Sequence, residues 1–239
     1  MRLKDRFLLQ HSSELNSLPD KKLLINTINA HSHNMAQKDA LFAEALTGGD
    51  VLIPDGASIV KALKWLKSIK IERIAGWDLF VFEMEKLNKT GGVCFFLGSS
   101  EKVLKLIKEK AAVDYPRIQV FVYSPPYKSS FSVSENEEMI HTVNSVNPDL
   151  LWIGMTAPKQ EKWAYANLDK LNVNGHIGTV GAVFDFYAGT IERAPEWWQQ
   201  HSLEWLYRLI KEPRRMWKRY IIGNMVFIYN IVKEKYGFN

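Results

Sequence analysis

Six short apolar runs, each followed by a glycine or polar turn, constrain this chain more than any other feature. They are Lys22–Asn26, Asp50–Pro54, Val93–Leu97, Ile118–Tyr123, Leu150–Gly154 and His176–Val180. Helical patterns stand between them: Ala30–Leu46, a helix through Ile59, Val60, Leu63 and Leu66, and the segments 101–114, 134–146 and 158–171. Nearly continuous apolar strands alternating with helices predict an α/β fold, a mostly parallel sheet covered on both faces. In such sheets ligands bind at the carboxyl ends of the strands. From Leu203 the pattern changes. Leu203–Lys211 reads as a short helix, Pro213 fits the first turn of another, and no strand follows. The expected division is residues 1–202 as the catalytic domain and 203–239 as a helical appendage.

Charge follows the same division. From Leu203 to Asn239 there are eight Lys/Arg and three Glu, which accounts for the net charge of +5 of the whole chain. Trp197, Trp198, Trp205 and Trp217 are half of the eight tryptophans. Basic residues interleaved with aromatic ones suit an anionic, partly apolar target such as a membrane surface or a lipid diphosphate. A solvated basic helix has the same composition, and an exposed tryptophan-rich tail could also pack on a second copy of the chain. No run reaches the roughly 18–20 apolar residues that span a bilayer. No secretory signal is evident at the amino terminus, so a cytoplasmic protein with peripheral membrane contact is expected. The single cysteine, Cys94, lies in the apolar run GGVCFFLG and is expected to be a buried, inert thiol.

The strand ends hold the candidate chemistry. Asp55 follows a strand directly in LIPDGAS, where a carboxylate could take a proton from an attacking hydroxyl, although the local pattern alone favours an Asx turn or a helix cap. PKQE, residues 158–161, opens a helix whose free N–H groups could hold an anion while Gln160 meets a hydroxyl; an ordinary helix start reads the same way. Asp185 and Asp78 are isolated and read locally as structural hydrogen-bond partners. His31 and His33 are two apart and make a poor metal pair. There is no HExxH, no Asp-x-Asp, no GxGxxG and no GxxxxGK[ST]. No metal and no cofactor are expected. If the chain handles a sugar nucleotide, charge on the leaving diphosphate would fall to Arg, Lys, backbone N–H groups or a helix dipole.

Six blocks in order carry a resemblance: TINAHSHNMA (27–36), LIPDGASIV (52–60), ERIAGWDLF (72–80), APKQEKW (157–163), VGAVFDFYAGTIERAPEWW (180–198) and LEWLYRLIKEPRRMWKRY (203–220). Together they resemble the WecG/TagA/CpsF glycosyltransferases, glycosyltransferase family 26. The resemblance implies a Rossmann-like α/β domain with a C-terminal helical appendage that completes the site at the membrane. It implies inverting transfer, without a metal, of N-acetylmannosamine, its uronic acid or a related sugar. The donor would be a UDP-sugar and the acceptor a polyprenyl-diphosphate-linked saccharide. The pathway would be cell-envelope polysaccharide synthesis at the inner face of the bacterial plasma membrane.

By position, Asp55 matches the general base and Arg73 the arginine of the ERI-G block, the two catalytic candidates. The resemblance implies that Thr27 and Asn29 border the donor sugar and that Gln160, beside Lys159 in PKQE, contacts the donor. It likewise implies that Gly181 and Asp185 line the nucleotide pocket and that the tail arginines Arg214, Arg215 and Arg219 reach a diphosphate. Many members read GLG-x-PKQE where this chain has GMTAPKQE. The alternatives are a soluble nucleotide-sugar epimerase or hydrolase, and a nucleic-acid-binding protein, the weaker because Glu204 and Glu212 interrupt the basic tail.

Overall fold

The computed structural model describes residues 1–6 and 8–237. Six strands form one sheet: β1 (Leu23–Ile28), β2 (Val51–Pro54), β3 (Gly92–Gly98), β4 (Ile118–Tyr123), β5 (Leu150–Gly154) and β6 (His176–Thr179). All pairs are parallel, in the order β2–β1–β6–β5–β3–β4. The fold is Rossmann-like α/β, as expected. Its helices are α1 (Ala30–Ala36), α2 (Ala40–Thr47), α3 (Ala57–Lys67), α4 (Gly76–Thr90), α5 (Glu101–Asp114), α6 (Val133–Asn144), α7 (Lys159–Asn167) and α8 (Val183–Ala188). Then come α9 (Glu196–Gln200), α10 (Glu204–Lys211), α11 (Pro213–Trp217), a π-helical turn at Lys218–Ile222, and α12 (Gly223–Tyr236).

The expected helix Ala30–Leu46 is in fact two. The Asp39 carboxylate accepts the Phe42 N–H at 3.0 Å, capping a new helix where one continuous run was expected. The helix expected over 158–171 ends at Asn167, followed by a 3₁₀ turn at Leu168–Lys170. Helix α4, fifteen residues long, had no counterpart in the expected pattern.

Side chains alternate across the sheet, so each strand supplies both faces. Ile25, Cys94, Phe96 and Trp152 pack with α4, α5 and α8. Leu24, Phe95, Leu97, Leu151 and Ile153 pack with α6 and α7. Cys94 is buried, and desolvation raises its thiol pKa well above the usual value, as befits an inert core residue. After β1 the chain passes to α2, which packs on α7; after β6 it passes to α8, on the opposite face. The neighbouring strands β1 and β6 therefore send their helices to opposite sides, which opens a crevice at their carboxyl ends.

Helix α12 closes back onto the sheet domain. Phe227 and Ile231 are buried among Leu3, Leu8, Ile28 and Phe42. The Asn34 side-chain amide donates to the Gly223 backbone carbonyl at 2.7 Å and accepts at its Oδ1 from the Asn230 amide at 3.2 Å, and the His33 ring meets Phe227 edge-on at 5.1 Å. The backbone N–H groups of Leu3 and Lys4 donate to the Glu234 carboxylate at 2.9 and 2.6 Å. Phe238 and Asn239, the end of the expected appendage, lie outside the described residues. Among the described residues no helix is long and apolar enough to cross a membrane.

Candidate active site

The crevice at the strand ends is a cleft of about 740 Å³, floored by the turns after β1, β2, β5 and β6 and roofed by α10, α11, the π turn and α12. Asp55 sits on the floor one residue beyond β2. Its N–H donates to the Ile53 carbonyl, and Gly56 then takes φ +139°, a conformation open to glycine, before α3 begins. The Ile74 N–H donates to the Pro54 carbonyl at 3.1 Å, which places the preceding residue, Arg73, beside that turn. Asp55 is half-buried. Desolvation by the cleft walls raises its pKa to about 6, with Arg73 and Arg219 pulling the other way and Glu204 and Asp78 adding to the rise.

Thr27 and Asn29 follow β1 and line the same cleft. Asn29 also caps α1, its side-chain Oδ1 accepting from the N–H groups of His31 and Ser32 at 3.0 and 3.1 Å. Gln160 is buried and fixed at both ends, accepting the Met155 N–H at 3.2 Å and donating to Glu161 at 2.9 Å. Gly181 takes φ +50° in the turn after β6, a backbone conformation that favours glycine, and the turn faces the Gln160 amide. Asp185 lines the cleft and accepts from the Thr190 hydroxyl at 3.2 Å, the hydrogen-bond role that its local pattern suggests.

Of the tail arginines, Arg215 and Arg219 reach the cleft, whereas Arg214 is exposed and does not line it. Arg215 is paired to Glu212 at 2.6 Å. Burial lowers the pKa of Arg219, and the positive charges of Arg208 and Arg215 add to the effect. Lys159 also turns away: its ammonium donates to the Lys128 carbonyl at 2.8 Å and lies 4.8 Å from the centre of the Phe131 ring.

Several cleft residues were not among the sequence candidates, four of them charged residues of the six sequence blocks. Arg208, from α10, lies over Phe186 with its Nε unpartnered. Glu161 is buried with one carboxylate oxygen unpartnered, and desolvation raises its pKa to about 7. Arg193 and Glu204 face each other across the roof at 3.9 Å. All four lie inside the six sequence blocks, yet no local spacing marks them off from surface charges. His31 also lines the cleft, and burial lowers its pKa to about 4, leaving a neutral ring at physiological pH. Among the described residues, no three His, Cys, Asp or Glu side chains gather as a metal site.

This arrangement puts a carboxylate of raised proton affinity on the floor and guanidinium groups on the roof. It can take a proton from a hydroxyl while neutralising a departing anion. The profile described as "Glycosyl transferase WecG/TagA/CpsF family" matches residues 6–239. The chain is similar to the N-acetylglucosaminyldiphosphoundecaprenol N-acetyl-beta-D-mannosaminyltransferase of Bacillus subtilis (strain 168), at 30% identity over 90% of this chain and 82% of that one. The enzymes of the same name from Bacillus spizizenii (strain ATCC 23059 / NRRL B-14472 / W23) and Staphylococcus aureus (strain MW2) are 28% and 27% identical. They cover 84% and 89% of this chain, and 75% and 81% of their own lengths. With the strand-end cleft, its acid and its arginine roof all falling inside the matched residues, the chain belongs to the WecG/TagA/CpsF family and is a glycosyltransferase.

Proposed function

We propose that this enzyme transfers an N-acetylmannosamine-type sugar from a UDP-sugar to a polyprenyl-diphosphate-linked saccharide, with inversion and without a metal. The observation that carries the chemistry is the opposition of Asp55 on the cleft floor to Arg208, Arg215 and Arg219 on its roof. The names of the relatives support the acceptor class and the sugar.

In this mechanism an acceptor hydroxyl oxygen attacks the anomeric carbon of the donor as Asp55 takes the hydroxyl proton. The bond from that carbon to the diphosphate oxygen breaks, and its electron pair leaves with UDP. A pKa of about 6 suits the base: it is largely ionised at pH 7–8 yet more basic than an ordinary aspartate. Charge building on the diphosphate is met by the roof arginines, which need little reorganisation. Thr27 and Asn29 border the donor sugar, Gln160, Gly181 and Asp185 line the nucleotide side, and Arg73 stands next to the base.

The roof also presents apolar side chains outward. Trp217, Ile221, Ile222, Met225, Ile228 and Tyr229 are exposed, the last two by 61% and 67%. Together with the lysines and arginines of the same helices they suit an anionic membrane surface, and this supports peripheral docking at the inner face of the membrane with the cleft turned toward a lipid-linked acceptor. The test is transfer from a panel of radiolabelled UDP-sugars to a polyprenyl-diphosphate-N-acetylglucosamine analogue, with EDTA present. A labelled lipid of inverted anomeric configuration is expected. Sugar released to water or isomerised without lipid would refute the transfer reading.

A further inference from the structure

Glu204 is the first residue of α10, where an acid commonly does no more than favour the positive end of the helix. Here its side chain turns into the cleft, 22% exposed, and approaches two guanidinium groups of the sheet domain. One carboxylate oxygen lies 3.5 Å from Arg73 and the other 3.9 Å from Arg193. Arg193 is itself 3.9 Å from Asp78 and lies over the Trp77 ring at 5.4 Å. A chain of alternating charge, Asp78–Arg193–Glu204–Arg73, thus crosses from α4 to the roof and ends beside Asp55. Among the described residues, Arg73 makes its ion pair with Glu204; none within 4 Å joins it to Asp55.

An arginine free to close on Asp55 would hold its negative charge and weaken it as a base. We infer that Glu204 is a positioning residue that holds Arg73 away from full pairing with Asp55, so that seating of the C-terminal helices makes the base effective as well as covering it. This rests on the general-base reading given above. The charged groups acting on Asp55 are Arg73 from the loop before α4, Asp78 from α4, Glu204 from α10 and Arg219 from the π turn. Glu204 and Asp78 favour its protonated form, and Arg73 and Arg219 favour its charged form. The roof therefore brings one group of each sign, and Glu204 is the one that sustains basicity.

The experiment is the pH dependence of kcat/KM for full-length wild-type, Glu204→Gln, Glu204→Asp, Arg73→Gln and Arg73→Gln/Glu204→Gln enzymes, with thermal melting as a fold control. Removing the Glu204 charge is expected to move the acidic limb to lower pH by about half a unit or more. The plateau should fall roughly three- to tenfold in kcat, with little change in KM. Glu204→Asp, which keeps the charge, should retain the wild-type limb. In the Arg73→Gln background the second substitution should have a clearly smaller effect, because only the direct charge of Glu204 on Asp55 is left to remove. A ¹³C-carboxyl titration of Asp55 in the substrate-free protein should show the same downward shift without relying on turnover. An unmoved limb and an unmoved titration in Glu204→Gln would overturn the inference, as would an equal effect with and without Arg73. If Asp55→Asn kept wild-type turnover, the general-base reading would fall and this inference with it. If Asp55→Asn were inactive while Glu204→Gln kept the wild-type limb, only the role of Glu204 would be lost.

Discussion

The two ends of the sheet treat buried acids in opposite ways. At the amino end, Glu83 and His176 are both buried and joined at 2.8 Å, and the other imidazole nitrogen meets the Pro19 carbonyl at 3.1 Å. Burial alone would lower the His176 pKa, but the hydrogen bond to Glu83 and its charge outweigh it, and the net direction is up. At the carboxyl end, Asp55 has no ion pair within 4 Å among the described residues and Glu161 leaves an oxygen unpartnered, so desolvation raises both pKa values. One strand, β6, runs from the first environment to the second. The Glu83–His176 pair is compensated within the fold, whereas Asp55 and Glu161 in the cleft carry raised proton affinity without such a partner.

The comparison breaks first at Asp55. Asp55→Asn is expected to lower transfer roughly 10²- to 10⁴-fold with the fold intact, measured by steady-state kinetics beside a melting scan. Wild-type turnover would mean that the raised acid has no part in the chemistry.

At the other end the expected loss is in stability. Glu83→Ala leaves the buried His176 without its acid and should cost about 3–5 kcal/mol by denaturant titration, with kcat unchanged while the protein is folded. Because the folded His176 pKa is raised, its stabilising contribution is complete below the unfolded value of about 6.5. It is lost as pH rises through the folded value, and in Glu83→Ala, where burial dominates at the imidazole, the dependence should reverse, with stability rising as pH rises through about 6.5.

An intermediate effect is expected on the roof. Arg219→Gln should reduce kcat/KM roughly 10- to 100-fold without loss of melting temperature, since the group it removes is a desolvated cation. A destabilised variant of unchanged kcat/KM would place Arg219 with the structural pairs instead.

The smallest expected effect sharpens the contrast. Glu161→Gln keeps the acceptor for Gln160 and removes a charge whose folded pKa, about 7, lies above its ordinary value. Ionisation of Glu161 therefore weakens the fold as pH rises through 7. The variant should be more stable than wild type at pH 8 by up to about 3 kcal/mol, with the gain gone below about pH 4.5. Equal stability at both pH values would mean that Glu161 finds a compensating partner in solution.

How much of this was legible in the sequence depended on how local the cause was. Strands β4 and β5 and helix α5 match the expected bounds residue for residue, because period, apolar run and flanking turn agree there. The break between α1 and α2 rests on one side-chain cap at Asp39, which a run of helix formers conceals. Helix α4 starts at a glycine, and no side chain of its N-cap residue, Ala75, bonds to it; the Asp78 carboxylate instead accepts the Ala75 N–H at 2.8 Å. In the site, Asp55 was visible because it follows a strand within a turn, and the family blocks supplied Thr27, Arg73 and Gln160. Lys159 and Arg214 share those blocks but point elsewhere, since a motif fixes position along the chain and packing fixes direction. Glu204 was read only as an acid that weakens a basic tail; its approach to Arg73 exists only once α10 has folded over the cleft.

The clasp between Glu234 and the N–H groups of Leu3 and Lys4 bears on the order in which this molecule can be assembled. Leu3 and Leu8 share one apolar cluster with Ile28, Phe42 and Leu63 as well as with Phe227 and Ile231 of α12. The clasp itself joins residues 231 positions apart, a contact whose loop is entropically costly to close and which therefore favours formation after the local elements. A chain cut before residue 223 would leave the α12 side of that cluster uncovered.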